Sequence, residues 1–316
     1  MIKSHTIENN FLRIKILNMG ATLFEVFHKR KKINLILNLD KISSYKNNRN
    51  YLGATCGRYA NRIKNAQFVI NQTKYSLTKN EGKNILHGGK KGFDSKIWEI
   101  KDSSNLHVTY NYTSPDGEEG FPGELRSTCK YLLKDNNLHI LMTAKSSKTT
   151  HVNLVNHAYW NLDKVKKNIF NHELFINADY YLENDKDNIP TGKRLSVKNG
   201  QFDYRNISNI GSKIEKKGSG FDENYIIKKN SSLVAKLISP RSKIQLSLFS
   251  DQPGVQFYSG QYLRFKSQSK KLRPFQGMCL ETQNFPNSPN NKKFPSSLIS
   301  PGQTYRHKIK FKISDI

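Results

Sequence analysis

Glu281 is the residue of this chain best placed for acid/base chemistry. It follows the apolar run Met278-Cys279-Leu280 and precedes a loop rich in proline and asparagine, so we expect it at the end of a core strand beside a cavity. Partial burial there would disfavour the charged carboxylate and raise its pKa toward that of a useful general base. A structural ion pair with an arginine such as Arg62 explains the same pattern equally well.

Two histidines each allow two interpretations. His157 stands in a segment rich in amides and rings, with Asn153, Asn156, Tyr159 and Trp160. Such surroundings suit a functional histidine, as a proton donor or a sugar-binding group, or a hydrogen-bonded core histidine, and taken alone the core histidine is the more common case. His87 has the same two interpretations, and the two glycines that follow it would let the backbone approach another group closely.

Four further polar residues are weak candidates when taken singly. Asp222 near an asparagine is typical of a turn, while Asn61, Arg62 and Gln256 are typical of a sheet face or the surface. As a set with Glu281 and the histidines, they offer an acid, a base and hydrogen-bond partners near aromatic rings, without the spacing of a metal site or a cofactor loop. Rings suit the C–H face of a pyranose and polar groups suit its hydroxyls, so the combination predicts a pocket for an uncharged sugar, with no metal and no cofactor.

Strands must position these residues, because apolar side chains alternate with polar ones along the chain. The clearest alternations lie at Leu12–Ile16, Leu138–Met142, Ile244–Leu248 and Ile309–Ile313. Turn-forming residues separate such runs, as in Ser114-Pro115-Asp116-Gly117. No linker or internal repeat divides the chain. We therefore predict an all-β fold, a large antiparallel β-sandwich in which residues 1–316 form a single domain.

The chain is strongly basic, with 52 Lys and Arg residues against 25 Asp and Glu and a formal net charge of +27. A nucleic-acid footprint would be a cluster, stripe or tail of basic residues, whereas these are spread along the whole chain. The longest undiluted basic run, His28–Lys32, fits a solvated turn. We attribute the charge to a composition biased toward Lys and Asn, and we expect no nucleic-acid partner.

Cysteine usage and hydropathy indicate where the protein works. The cysteines Cys56, Cys129 and Cys279 have no paired spacing, which argues against disulfides or a zinc site and fits a reducing compartment. The N-terminal residues lack the apolar core of a secretory signal, and no stretch approaches the roughly 18 apolar residues of a membrane span. We expect a cytoplasmic protein without a membrane partner, either a monomer or a homodimer.

The chain resembles the aldose 1-epimerases, or galactose mutarotases, in segments that follow the family's order almost from end to end. These segments are Leu17–Thr22, Gly57–Ile63, Asn84–Gly89, Gly92–Asp94, Ser114–Gly123, Asn153–Leu162, Ile189–Gly192, Gly254–Gly260, Leu280–Pro286, Phe294-Pro295 and Pro301-Gly302. The departures are small. Val155 replaces the usual Thr, Phe121 stands where Tyr is common, and Pro286-Asn287-Ser288 replaces Pro-Asp-Ala.

The resemblance implies a β-sandwich of the galactose-mutarotase type that interconverts the α and β anomers of free aldohexoses without cofactor or metal. By motif position it implies Glu281 as the general base and His157 as the general acid. The substrate-binding residues it implies are Asn61, Arg62, His87, Asp222 and Gln256. Since His157 must be protonated while Glu281 is ionised, the expected pH profile is bell-shaped.

Two alternatives stand beside this hypothesis. A relative acting on hexose 6-phosphates would need an added cationic pocket for the phosphate, and cations are abundant in this chain. The close match of the segments around Asn61-Arg62, His87 and Glu281 favours free sugars instead. A non-catalytic sugar-binding module on the same fold would be expected to lack the acid or the base, and both His157 and Glu281 are present.

Overall fold

The computed structural model describes residues 1–229 and 231–316, most of them in short antiparallel strands. In chain order the strands are β1 Ser4–Glu8, β2 Leu12–Leu17, β3 Thr22–His28, β4 Ile33–Asn34, β5 Thr55–Cys56, β6 Arg62–Ile63, β7 Gln67–Ile70, β8 Thr73–Ser76, β9 Ile85–Leu86, β10 Glu99–Ser103, β11 His107–Ser114, β12 Leu125–Lys134, β13 Asn137–Ser146 and β14 Thr150–His151. They continue with β15 Val155–Asn156, β16 Glu173–Ile176, β17 Ala178–Asn184, β18 Pro190–Ser196, β19 Ser208–Asn209, β20 Asp222–Ile227, β21 Leu233–Ser239, β22 Ile244–Ser250, β23 Gly254–Tyr258, β24 Phe265–Lys266, β25 Lys271–Leu272, β26 Cys279–Gln283, β27 Leu298–Ile299 and β28 Tyr305–Asp315.

Helices are short. The α-helix α1 runs over Ile210–Lys217, with the side chain of Asn209 accepting the Ser212 N–H at its start and Gly218 in the left-handed conformation at its end. Short 3₁₀ helices lie at Ile42–Asn47, Lys64–Ala66, Phe93–Ser95, Glu118–Gly120 and Ser288–Asn290. Within residues 1–229 and 231–316, no helix has both the length and the apolar character needed to span a bilayer.

The predicted strand alternations are confirmed, since they fall in β2, β13, β22 and β28. Along β28, for example, Ile309, Phe311 and Ile313 are buried, while the lysines between them face outward. A pleated strand places successive side chains on opposite faces, so a period of two becomes one apolar and one polar face. This outward face accommodates part of the basic excess.

Two large sheets form the body of the fold and confirm the predicted antiparallel β-sandwich. The nine-stranded sheet has the order β10-β11-β12-β13-β28-β22-β21-β16-β19, and the five-stranded sheet has the order β18-β17-β20-β23-β26. Side chains from both sheets meet in one apolar core, including Leu237, Leu246 and Phe311 from the larger sheet and Tyr225, Val255, Phe257 and Leu280 from the smaller. The other face of the smaller sheet is left free to carry polar groups.

A buried arginine fixes the turn-rich segment between β11 and β12. Arg58 is 2% exposed, and its guanidinium donates to the main-chain carbonyls of Ser114, Pro115, Pro122 and Gly123 as well as to the Ser114 hydroxyl. Burial lowers the pKa of Arg58 to about 10, with Glu118 and Asp116 opposing that shift. The proline- and glycine-rich segment is therefore held from within by one side chain.

Candidate functional site

The polar face of the five-stranded sheet carries three of the sequence-predicted residues. On adjacent strands, Gln256 of β23 lies directly opposite Glu281 of β26. Gln256 also donates through Nε2 to Oδ1 of Asp222, at the start of β20, over 2.7 Å. The three residues share a face because paired residues on neighbouring strands point the same way. The strand order β20-β23-β26 therefore places the amide of Gln256 between the carboxyl groups of Asp222 and Glu281.

His157 meets this face from a loop that follows β15. Its main chain is held by two hydrogen bonds, from His157 N to Ala54 O at 2.9 Å and from Gly53 N to His157 O at 2.9 Å. Its Nε2 lies 3.6 Å from Oε1 of Glu281, and its Nδ1 lies 3.5 Å from Sγ of Cys279. Since Cys279 and Glu281 are two residues apart on β26, a single strand contacts both nitrogens of the imidazole.

Asn61, Arg62 and His87 come together through the short pair β6–β9, in which Arg62 lies opposite Leu86. The main-chain N–H of His87 donates to the Asn61 carbonyl at 3.1 Å, and the Asn61 N–H donates to Nδ1 of His87 at 3.2 Å. Both residues have positive φ, 62° and 51°, which is uncommon for residues other than glycine. These two backbone conformations direct the side chains of Asn61 and His87 toward the same cavity.

Gly88 explains why the loop after His87 contains glycine. Its φ is +89°, and a Cβ atom at this position would lie 1.8 Å from the carbonyl oxygen of Gly57. No side chain fits there, so the main chains of the two segments are in direct contact. The expectation that glycine allows a close backbone approach is confirmed, with protein main chain as the partner.

All seven sequence-predicted site residues line one cavity of about 430 Å³, hereafter the site cavity. This volume lies in the range of small-molecule clefts. The residues that sequence reasoning did not select as site residues are Arg49, Asn50, Tyr51, Glu81, Leu86, Tyr159, Asn188, Tyr258 and Tyr262. Four of these are tyrosines, which supply the aromatic surface that a sugar pocket needs. Tyr159 lies inside a segment already singled out, whereas Tyr51 and Tyr262 stand in polar surroundings that give no such signal.

Glu81 is the most consequential of the residues that were missed. Its carboxylate accepts from Nε and Nη2 of Arg62 at 2.7 and 2.8 Å, a bidentate pair at the edge of the site cavity. The structural ion pair weighed above for Glu281 and Arg62 is therefore made by Glu81 instead. Glu81 lies in an ordinary polar turn, Lys79-Asn80-Glu81-Gly82, and only the tertiary structure reveals its partner.

Burial sets the protonation of the two proposed proton-transfer groups. Glu281 is 2% exposed, and burial together with nearby Asp222 raises its pKa well above the ordinary value, while Arg62 opposes this. Its Oε2 atom is buried and has no hydrogen-bond partner within the described residues. Burial lowers the pKa of His157 to about 4. A carboxyl of raised pKa beside an imidazole of lowered pKa is a pattern common in catalytic sites.

The flanking groups carry shifts of the same origin. Burial, with His157 and Arg62 nearby, lowers the pKa of His87 well below its ordinary value. Burial raises the pKa of Asp222, against the effects of Arg62 and of the hydrogen bond from Gln256. Burial alone would lower the pKa of Arg62, but its hydrogen bonds to Glu81 hold it above its usual value.

The structure does bring three potential metal ligands together, although no spacing in the sequence predicts a metal site. One ligand atom each from His87, His157 and Glu281 lies within 4.8 Å of the others. The hydrogen bond from Asn61 occupies Nδ1 of His87, so the neutral ring carries its proton on Nε2 and donates there. A metal would then find only two free ligands, so the set fits hydrogen bonding to a substrate better than metal coordination.

Comparisons of sequence and of structure both find aldose epimerases or mutarotases as similar proteins. The family model described as aldose 1-epimerase matches residues 3–312. Galactose mutarotase from Bos taurus is 38% identical over 323 residues, covering 99% of this chain and 94% of the relative. Aldose 1-epimerase from Escherichia coli K12 is 33% identical over 318 residues, covering 95% of this chain and 92% of the relative. The solved structure of a GalM/aldose epimerase homologue from C. elegans has a TM-score of 0.95 and 29% identity, with each chain fully covered.

Proposed function

The chain belongs to the aldose 1-epimerase family, and we propose that His157 and Glu281 are the acid and base with which it interconverts the α and β anomers of free aldohexoses such as galactose and glucose. One observation carries the assignment of roles. Nε2 of His157 and Oε1 of Glu281 lie 3.6 Å apart on one wall of the site cavity. Oε2 of Glu281 is buried without a hydrogen-bond partner among the described residues, so the carboxyl keeps an acceptor that the protein does not use.

The chemistry is a ring opening followed by a ring closure. Glu281 takes the proton of the C1 hydroxyl while His157 donates a proton to the ring oxygen, and the bond between C1 and O5 breaks. The open-chain aldehyde then rotates about the C1–C2 bond. Closure of the ring onto the other face of the carbonyl reverses both transfers: Glu281 gives its proton to the C1 oxygen, and His157 takes back the proton of the O5 hydroxyl. Each proton transfer of this kind contributes a factor of roughly 10²–10⁴.

The remaining wall of the site cavity supports substrate binding. Arg62 and Nε2 of His87 are hydrogen-bond donors, Asp222 is an acceptor, and the amides of Asn61 and Gln256 supply both. The tyrosine rings offer apolar surfaces for the C–H groups of the sugar. These groups can bracket the hydroxyls of a neutral pyranose while the acid and base act at C1.

Polarimetry of α-D-galactose tests the proposal. Subtracting the uncatalysed rate, we expect Glu281→Gln to lose a factor of about 10³ in kcat, because the carboxamide keeps the shape but takes up no proton. Glu25→Gln is the matched control, since Glu25 pairs with Arg13 at 3.0 Å outside the site cavity. Undiminished mutarotation by Glu281→Gln would refute the assignment of the base. An inactive wild type would refute the activity itself.

A further inference from the structure

We infer that Glu81 is a positioning residue that holds and neutralises Arg62, so that the site recognises an uncharged hydroxyl and not an anion. The inference builds on the proposed function. Glu81 engages the Nε and Nη2 edge of the guanidinium in a bidentate pair, the strongest and most directional form of this interaction. Nη1 of Arg62 makes no hydrogen bond to any residue that the structure describes, and its two N–H groups remain for a ligand.

The turn that carries Glu81 is itself held in place. Asn80 donates through Nδ2 to the carbonyls of Leu86 and Gly89, at 2.9 and 3.0 Å, and accepts the Leu86 N–H at 2.7 Å. Lys83 forms an ion pair with Asp187 at 2.9 Å, which ties the turn to the loop on the other side of the rim. A carboxylate on a fixed turn can define the orientation of a long arginine side chain at little entropic cost.

The charge of Glu81 also acts on the polar groups of the sheet. Arg62 lowers the pKa of Asp222, and Glu81 raises it, so the two charges oppose each other at this carboxyl. Without Glu81, the guanidinium of Arg62, with 11% of its side chain exposed, would lose its bidentate partner, while Asp222 and Glu281 would still act on it through space. Such a group is a ready binding site for phosphate or sulfate.

Glu81→Gln separates these effects because it keeps one acceptor oxygen and removes the charge. We expect KM for galactose to rise about ten-fold with kcat little changed, as for a hydrogen bond that serves binding. The alkaline limb of kcat/KM should move to lower pH, because an unopposed Arg62 stabilises the Glu281 carboxylate. Inorganic phosphate should become a competitive inhibitor at least about ten-fold tighter than for the wild type.

Two further variants complete the test. Glu81→Asp keeps the charge, so it should keep phosphate inhibition weak even if KM rises. Glu25→Gln breaks a comparable Arg–Glu pair remote from the site and should behave as wild type in all three measurements. Unchanged KM, alkaline limb and phosphate inhibition in Glu81→Gln would overturn the inference, as would a loss confined to kcat. Neither result would contradict the proposed function, because that proposal is tested by the activities of the wild type and of Glu281→Gln.

Discussion

Nε2 of His157 lies 3.6 Å from Oε1 of Glu281, and burial moves the pKa values of the two groups in opposite directions. Between those values the pair holds one proton, and the directions of the two shifts favour the form in which Glu281 carries it. The reactive imidazolium–carboxylate form differs only by transfer of that proton across the contact. The charged pair expected from the resemblance and this neutral pair therefore carry the same number of protons.

The pH dependence of kcat/KM should reflect this shared proton. Below about pH 4, His157 is also protonated and Glu281 is neutral, so no base is available. Above the raised pKa of Glu281, the pair has lost its proton and cannot protonate the ring oxygen. We expect a bell with its acid limb near pH 4 and an alkaline limb well above the ordinary glutamate value, measured by polarimetry with galactose. A profile that is flat between pH 3 and 10 would contradict this pair.

Hexose 6-phosphates should be poor substrates. The site cavity is lined by three acidic groups, Glu81, Asp222 and Glu281, and by two cations among the described residues, Arg49 at its exposed rim and Arg62, which is already paired with Glu81. Repulsion of a phosphate by such a site costs several kcal/mol, so we expect kcat/KM for glucose 6-phosphate to be about 100-fold or more below that for glucose.

Parallel assays of the two sugars measure this preference. The Arg49→Gln variant is a useful companion, because Arg49 is an exposed cation at the cavity rim. Equal turnover of both sugars by the wild type would contradict the prediction. If Arg49→Gln then lost turnover of glucose 6-phosphate but kept that of glucose, the phosphate group would bind at Arg49.

Removing the buried guanidinium of Arg58 should destabilise the fold strongly. Arg58→Met leaves the carbonyls of Ser114, Pro115, Pro122 and Gly123 without their buried donor. We expect a loss of about 3 kcal/mol or more in the free energy of unfolding, measured by urea denaturation. Arg13→Met is the control, because Arg13 is 40% exposed and its ion pair should contribute little. Equal stability of the two variants would show that the segment does not depend on Arg58.

The positive charge should give only weak binding to nucleic acid. The outward lysines of β28 alternate with core residues, as expected for a half-buried strand. Their position is therefore explained by the fold without a nucleic-acid partner. We expect a duplex oligonucleotide at 150 mM salt to bind with a Kd no tighter than about 10⁻⁶ M by fluorescence anisotropy, as for nonspecific contacts. Nanomolar binding under those conditions would reopen the nucleic-acid hypothesis.

Much of the fold could be predicted from the sequence because a period of two is a local property. The alternations at Leu138–Met142 and Ile309–Ile313 became the neighbouring strands β13 and β28, with Ile140 opposite Ile309. Their order within a nine-stranded sheet depends on pairings between distant segments, which periodicity does not encode. The helix α1 has only eight residues, too few for a clear amphipathic pattern.

The site was predictable where residues lie in recognisable segments, as His157 and Glu281 do. Glu81 was missed because its role depends on the pairing of β6 with β9, which places Arg62 beside the turn at residues 79–82. Tyr51 was missed for a similar reason. Its ring lies 4.6 Å from that of His87 and 5.8 Å from that of His157, between centroids, and neither contact has a signature in the sequence.

The close approach of Gly88 to Gly57 has a consequence for redesign of this enzyme. Because the two main chains touch, backbone atoms set the distance between His87 and the segment that carries Asn61. Substitution of neighbouring side chains should therefore leave that distance unchanged. Libraries that vary Tyr51, Tyr258 or Tyr262 can therefore reshape the pocket without displacing this frame. Insertions at residues 88–89 would move His87 directly. The part of the site fixed by main-chain contacts and the tyrosines that can be varied thus lie on different segments of the chain.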